Sequence, residues 1–278
     1  MPELPEVETI ARTLEPKLSG LTFTGMQVML PKIVSTPSDI GLFTDRLSGK
    51  KIEQVSRRGK YLLFSLTEDY TLVFHFRMTG SLVYCQAEQP VAKHTHVVME
   101  LDNGDLLRYA DMRQFGRIWL FANEDLEQLH GYNTLGIEPL STSFTTNYFR
   151  KELKSQHRQI KQILLDQTFI AGLGNIYTDE ALNRAKINPE TTATSLNPRA
   201  VSKLHKSIRA VLQEGINNRG TTISDYIDGE GRSGEFQNKL RVYGKEGLPC
   251  ANCGTAIVRK KIDGRSSYYC PSCQKKWF

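Results

Sequence analysis

Two pairs of cysteines and an N-terminal proline carry the most specific chemistry in this chain. Cys250-x2-Cys253 and Cys270-x2-Cys273 are two CxxC knuckles separated by sixteen residues. Four thiolates so spaced can close a tetrahedral shell around one structural zinc, leaving no position open to water. Two redox pairs or disulfides are the competing reading, disfavoured in a reducing compartment. Pro2, once Met1 is removed, offers a secondary α-amine. Such amines titrate at about 7.7–8.0 in peptides, so a fraction is neutral and nucleophilic near neutrality, without the desolvation a lysine needs. Attack on a sugar C1′ would give an iminium, an electron sink for later eliminations. Glu3 is a candidate proton donor beside it, and Glu6 lies in the same turn. Acidic residues at a helix start also complement its dipole, and residue chemistry alone leaves both readings open.

A second group sets basic or intercalating residues in apolar surroundings. It comprises Arg57-Arg58-Gly59-Lys60, Arg77-Met78-Thr79-Gly80 and Asp111-Met112-Arg113-Gln114-Phe115-Gly116. Apolar wedges and arginines are what a protein needs to unstack a base and fill the gap. Singly, each is as readily a core or surface residue. Gly172-Leu173-Gly174-Asn175 would let backbone approach an anion at a helix start, or would simply be a tight turn.

The charge distribution points the same way. The formal net charge is +6, and Arg241–Phe278 holds eight Lys/Arg against two Asp/Glu, leaving twenty-eight of each elsewhere. A polyanionic partner is one reading of that tail, and a solubilising surface the other. No apolar run reaches the roughly 20 residues needed to span a bilayer. The N-terminus has neither a basic nor an apolar signal region, so the cytosol is the expected compartment. Cys85 stands alone and reads as a small buried strand residue.

The elements that must position these groups follow from periodicity. Val7, Ile10, Ala11, Leu14 and Leu18 predict a helix over 5–18. From about 21 to 121 the pattern is strand-like: Leu72, Phe74, Phe76 and Met78 alternate with Val73, His75 and Arg77, and Asp102-Asn103-Gly104 predicts a hairpin turn. Leu135 to Pro139 resembles a hinge. Beyond it Ile160, Ile163 and Leu164 mark one helix, Asn175 opens a second through Ala181 and Leu182, and Asn197-Pro198 caps a third with Val201, Leu204, Ile208, Val211 and Leu212 on one face. A polar stretch from Asn217 to Asn238 is long enough to be functional or mobile. The fold class expected is α+β: an N-terminal helix and β-sandwich over 1–134, a hinge over 135–140, a helical domain with a long loop over 141–240, and a finger over 241–278.

Taken together the motifs resemble formamidopyrimidine-DNA glycosylase, a base-excision repair family that removes 8-oxoguanine and ring-opened purines. The resemblance runs from Met1-Pro2-Glu3-Leu4-Pro5-Glu6-Val7-Glu8-Thr9 through Arg57 to Leu62, Lys93-His94-Thr95-His96, Gly172 to Tyr177 and Val242-Tyr243-Gly244 to the cysteine module. It implies a β-sandwich, a helix–two-turn–helix domain and a zinc finger, with double-stranded DNA across the cleft. It makes the protein a bifunctional glycosylase and lyase, expected to act as a monomer in the cytoplasm on the nucleoid. Pro2 would be the Schiff-base nucleophile and Glu3 the acid that helps open the deoxyribose. Lys60 and Arg265 would assist elimination and hold phosphate. Asn175 would clamp phosphate, and His94 and Lys161 would bind DNA. Met78, Arg113 and Phe115 would fill the void, with Arg113 facing the orphaned cytosine. One zinc would be held by Cys250, Cys253, Cys270 and Cys273, with no metal in catalysis.

Two departures are visible. Gln114 stands where the family often has arginine, and Gln162 where it often has proline. The loop from about Thr221 to Gln237 corresponds to a variable segment that covers the everted base, so lesion preference is less fixed than lyase chemistry. An endonuclease VIII-like enzyme for oxidised pyrimidines is the sibling reading; Leu4, where that sibling typically has glycine, argues against it. A non-catalytic zinc-ribbon binder of damaged DNA is the reading from another class, and incision of abasic DNA separates the two classes.

Overall fold

A computed structural model describes residues 1–276; Trp277 and Phe278, the end of the expected finger, lie outside the described residues. The chain divides into two units: Met1–Asn133 with Asn218–Gln237, and Thr134–Asn217 with Asn238 onward. The segment Asn218–Gln237, expected within a 141–240 helical domain, therefore packs with the first unit instead. Its backbone polar groups find partners there, on Glu6, Thr13 and Tyr84.

The first unit opens with α1 (Leu4–Leu18), whose Val7, Ile10, Leu14 and Leu18 are wholly buried. Then follow β1 (Phe23–Val28), β2 (Val34–Thr36), α2 (Ile40–Leu47), β3 (Ile52–Arg58), β4 (Tyr61–Leu66), β5 (Tyr70–His75), β6 (Gly80–Cys85), β7 (Thr95–Leu101), β8 (Leu106–Asp111) and β9 (Arg117–Ala122). Two sheets result, in the orders β1-β7-β8-β6 and β2-β9-β5-β4-β3. All pairings are antiparallel except β2 with β9. Phe64, Phe74, Leu82, Val97, Tyr109 and Leu120 from both sheets, with Phe76 just past β5, share one core with α1. Each such side chain contributes about 1.5–3 kcal/mol through burial. The alternation along β5 does not leave a wet face: Val73 and His75 are buried as well. Tyr61 packs edge-on against both His75 and Tyr132, covering that side. The turn at Asp102–Gly104 joins β7 to β8 as expected, with Gly104 left-handed at φ 87°.

The second unit holds α3 (Thr146–Leu153), α4 (Ile160–Leu165), α5 (Asn175–Ala185) and α6 (Pro198–Asn217), then the hairpin β10 (Val258–Ile262) with β11 (Arg265–Tyr269). The α6 stripe of Val201, Leu204, Ile208, Val211 and Leu212 is buried, as its helical spacing requires. No helix among the described residues is long and apolar enough to cross a membrane.

Candidate active site and zinc centre

Pro2 and Glu3 are buried at the mouth of α1, whereas Met1 is exposed. Glu3 is the N-cap and Glu6 the third helical residue, forming a reciprocal capping box. The Glu3 N–H donates to Glu6 Oε2 at 2.8 Å. Glu6 Oε1 accepts the N–H of Thr221 at 2.7 Å, and the Tyr226 hydroxyl donates to the Glu6 carbonyl at 3.3 Å. The Tyr226 phenol is pushed well up by burial, with Glu6 and Asp228 adding to it. Gly220 is left-handed at φ 81°, and a Cβ there would lie 2.9 Å from the Glu6 side chain. Only glycine permits that approach.

Lys60 follows the left-handed Gly59 in a two-residue turn between Arg58 and Tyr61. The turn is fixed to α1: Arg57 donates to Glu8 Oε2 at 2.9 Å and to the Gly59 carbonyl at 3.0 Å. Burial works to raise the Glu8 pKa, but Arg57 and Arg12 outweigh it and hold the carboxyl below its usual range. Lys60 is itself buried, 7% exposed, beside His75. Burial first, then the charges of Arg77 and Lys60, press the His75 imidazole down to about 3. His75 is therefore neutral at physiological pH, and its Nδ1 accepts the Arg77 N–H at 3.1 Å.

Met78, Arg113 and Phe115 are all exposed at the ends of strands of this unit, Met78 between β5 and β6, the other two between β8 and β9. The Arg113 guanidinium lies 4.9 Å over the Phe115 ring, which can hold it extended. His94, half-buried and left-handed at φ 63°, precedes β7. Gln114, one of the two departures, is left-handed as well, at φ 58°.

In the second unit, Gly174 caps α5 and Asn175 begins it. The Asn175 Nδ2 donates to the Ser266 carbonyl at 2.8 Å. Arg265, next to Ser266, is exposed just past the turn Asp263-Gly264. Both turn residues have positive φ, 49° and 72°, the pairing an Asp-Gly hairpin turn favours. Lys161 corrects the sequence-based expectation. It is 0% exposed, donating to Asp179 Oδ1 at 2.6 Å and to the Ser266 carbonyl at 3.1 Å. A fully enclosed ammonium does not meet a phosphate, so this lysine secures the hairpin that carries Arg265. Its position on the inward face of α4, with Ile160 and Leu164, is what buries it.

The four cysteine Sγ atoms lie within 4.8 Å of one another. Separations of 4.0 Å (Cys250–Cys273), 3.5 Å (Cys253–Cys270) and 3.4 Å (Cys253–Cys273) suit zinc–sulfur bonds of about 2.3 Å in a tetrahedron. Without a cation the four thiols share protons: the Thr255 hydroxyl and N–H hold Cys253 down to about 6, while burial raises Cys270 and the contact with Cys253 pushes Cys273 up to about 12, so drawing all four to thiolate takes a bound metal. The residues present fit one zinc with four sulfur ligands. Gln274 braces the knuckle, accepting the Cys270 N–H and donating to the Ile187 carbonyl.

Sequence reasoning passed over three supporting groups. Glu180 accepts the N–H groups of Arg241, Val242 and Tyr243 at 2.9–3.0 Å. Asp179 accepts from Lys161 and from the Tyr268 N–H. Burial raises both carboxyls, against the pull of those donors. The trace in sequence is slight: two adjacent acids on a helix that also buries the polar Thr178 and Asn183. Asp111, the third, gives no trace beyond its place before Arg113.

Residues 1–118 match the family model described as the formamidopyrimidine-DNA glycosylase N-terminal domain, residues 135–226 its H2TH domain, and residues 247–276 the zinc finger found in FPG and IleRS. The formamidopyrimidine-DNA glycosylase of Pelotomaculum thermopropionicum is 58% identical over 275 residues, covering 99% of each chain. That of Desulforamulus reducens is 53% identical over 276 residues, again covering 99% of each. A solved complex between Lactococcus lactis Fpg and a Fapy-dG containing DNA matches with a TM-score of 0.90 at 38% identity, covering 99% of this chain and 100% of that one. A second complex of that protein, with an abasic site containing DNA, gives 0.91 at the same identity and coverage. Relatives that match end to end, and three models in the expected order, place this chain in the formamidopyrimidine-DNA glycosylase family.

Proposed function

We propose that the protein excises oxidised purines from DNA and then cuts the strand, with the Pro2 nitrogen as nucleophile. The observation that carries this is the capping box: it fixes Glu3 beside a buried Pro2 while Met1 stays exposed for removal. The Pro2 nitrogen attacks C1′, the bond to the damaged base breaks, and the base leaves with the proton that the nitrogen sheds. Glu3 gives its proton to the ring oxygen as the sugar opens, leaving an iminium on nitrogen. The iminium acidifies the C2′ proton; its loss expels the 3′ phosphate, and a second elimination expels the 5′ phosphate. Lys60 and Arg265 hold those phosphates, and Asn175 and His94 add contacts to the backbone. Met78, Arg113 and Phe115 occupy the gap, offsetting an eversion cost of a few kcal/mol. Zinc, when bound by the four cysteines, supplies structure to the finger and no reactive position. The same proposal places the enzyme in the cytoplasm, working as a monomer on the chromosome.

Borohydride trapping tests it. The protein with Met1 removed should be caught covalently on an 8-oxoguanine duplex when borohydride is present and, without it, should leave a one-nucleotide gap with phosphates at both ends. Retaining Met1 or blocking the terminus should abolish capture. Capture at full strength with a blocked terminus would move the nucleophile to a lysine, Lys60 first. A Lactococcus lactis Fpg complex with an oxidised pyrimidine containing DNA also matches, at a TM-score of 0.90. The trapping series therefore includes a thymine-glycol duplex, which the purine reading expects to be the slower substrate.

A further inference from the structure

Asp111, the last residue of β8, is 1% exposed and bonds to three separate turns. Its Oδ1 accepts from the Thr79 hydroxyl and from the Arg113 N–H at 3.2 Å. Its Oδ2 accepts the Gly116 N–H at 2.8 Å and faces the Tyr109 hydroxyl at 3.4 Å. Thr79 Oγ1 in turn accepts the Arg113 N–H at 3.0 Å. The Asp111 N–H donates to the His94 carbonyl at 3.0 Å, and the Asp111 carbonyl meets His96 Nε2 at 2.9 Å. One carboxylate and its own peptide groups thus join the turn bearing Met78, the turn bearing His94 and the loop bearing Arg113 and Phe115.

The three wedge side chains are exposed, so burial cannot place them. Their backbone does, and Gln114 between Arg113 and Phe115 is held in the left-handed region, which a side-chain-bearing residue occupies at a cost. Asp111 grips the N–H groups on both sides of it, at Arg113 and Gly116. Gly116 lets this happen: a Cβ there would lie 1.8 Å from the Tyr109 hydroxyl and 3.1 Å from Asp111 Oδ2. Gly80, after the Met78 turn, is closed off by the same hydroxyl at 2.7 Å.

We infer that Asp111, acting through Thr79, is a positioning residue that sets Met78 against Arg113 and Phe115 and thereby fixes discrimination of the base opposite the lesion. The inference rests on the void-filling role proposed for those three residues. Thr79→Val keeps the shape of the side chain but removes the hydroxyl that links the two loops; Thr79→Ser restores it. Asp111→Asn turns an amide donor toward donors that the carboxylate now accepts.

The test uses the full-length, zinc-loaded protein. Single-turnover removal of 8-oxoguanine is measured opposite cytosine and opposite adenine, beside nicking of a preformed abasic site and the melting temperature. Thr79→Val should lower the cytosine-to-adenine ratio at least fivefold, change abasic nicking less than twofold and lower the melting temperature only by the few degrees that losing one hydrogen bond to a buried carboxylate accounts for. Thr79→Ser should recover the ratio, and Thr79→Val should add nothing in an Arg113→Ala background. A ratio within twofold of the parent in Thr79→Val overturns the inference. So do equal losses of ratio and nicking, which mark a general structural role. Arg113→Ala run alone separates the layers. If it leaves the ratio intact, the void-filling reading fails and takes the inference with it; if it collapses the ratio while Thr79→Val does not, only the inference fails.

Discussion

The Glu6 carboxylate accepts the backbone N–H of Thr221 at 2.7 Å, tying the first turn of α1 to the loop expected to cover the lesion. Its other oxygen accepts the Glu3 N–H at 2.8 Å. One side chain thus shares its two oxygens between the backbone at the nucleophile and the backbone of the loop. Gln at position 6 would keep one acceptor and set an NH2 group against an N–H donor. Leaving such a buried donor unmet costs about 1–3 kcal/mol. Glu6→Gln should therefore slow removal of 8-oxoguanine about tenfold. Nicking of abasic DNA, which has no base for the loop to cover, should change less than threefold. Equal losses on the two substrates would show that Glu6 serves the N-terminus alone.

The ion pair between Lys161 and Asp179 invites a stability experiment rather than a DNA-binding one. Both side chains are enclosed, at 0% and 1% exposure. Removing one partner leaves a buried charge uncompensated, at about 3–5 kcal/mol. Lys161→Met should lower unfolding stability by that order in urea titrations. The double change Lys161→Met with Asp179→Leu should recover a large part of it, since the uncompensated charge is gone. If Lys161→Met keeps its stability and merely reduces the salt dependence of DNA affinity, the lysine reaches phosphate after all.

These two cases also mark what a sequence can yield. α1 and α6 were legible because their buried faces repeat at helical spacing, and the zinc module because thiolate chemistry dictates its spacing. Lys161 was read as a DNA contact from the resemblance alone, and nothing in the sequence marks its carboxylate partner, eighteen residues away on another helix. The loop after α6 was assigned to its neighbours in sequence, whereas Glu6, Thr13 and Tyr84, all distant in the chain, hold it. Asp111 escaped notice for the same reason. Its meaning lies in donors from Thr79, Arg113 and Gly116, which only the paired strands bring to one point.

Zinc removal offers a third outcome. The cluster of Cys250, Cys253, Cys270 and Cys273 bears on the hairpin that presents Arg265, through Cys270 at the end of β11. Elemental analysis should return one zinc per chain. Chelation, or Cys273→Ser, should weaken DNA binding at least tenfold and expose the finger to protease. The borohydride reaction of Pro2 with a small aldehyde sugar, which needs no finger, should survive. Loss of that reaction in step with the metal would place zinc in the chemistry.

The last prediction concerns acid stability and His75. The imidazole titrates at about 3 in the folded protein against 6.5 unperturbed, with burial the main cause and the charges of Arg77 and Lys60 adding to it. Between those values the unfolded chain binds a proton that the native chain refuses. Stability therefore rises with pH across this window, and the contribution is complete above pH 6.5 and drains away as pH falls toward 3. The gap caps the loss at about 5 kcal/mol, and roughly 2 kcal/mol of it should be gone by about pH 5. His75→Phe removes the titrating group. It also forfeits the hydrogen bond from the Arg77 N–H, but that offset does not vary over this range. Urea unfolding of parent and variant at about pH 7.5 and pH 5 isolates the effect, because every other group titrates in both. The parent's stability relative to the variant should fall by roughly 2 kcal/mol between the two conditions. A difference that stays flat would mean that His75 accepts its proton in the folded state, with the charges of Lys60 and Arg77 too far off or too well screened to prevent it.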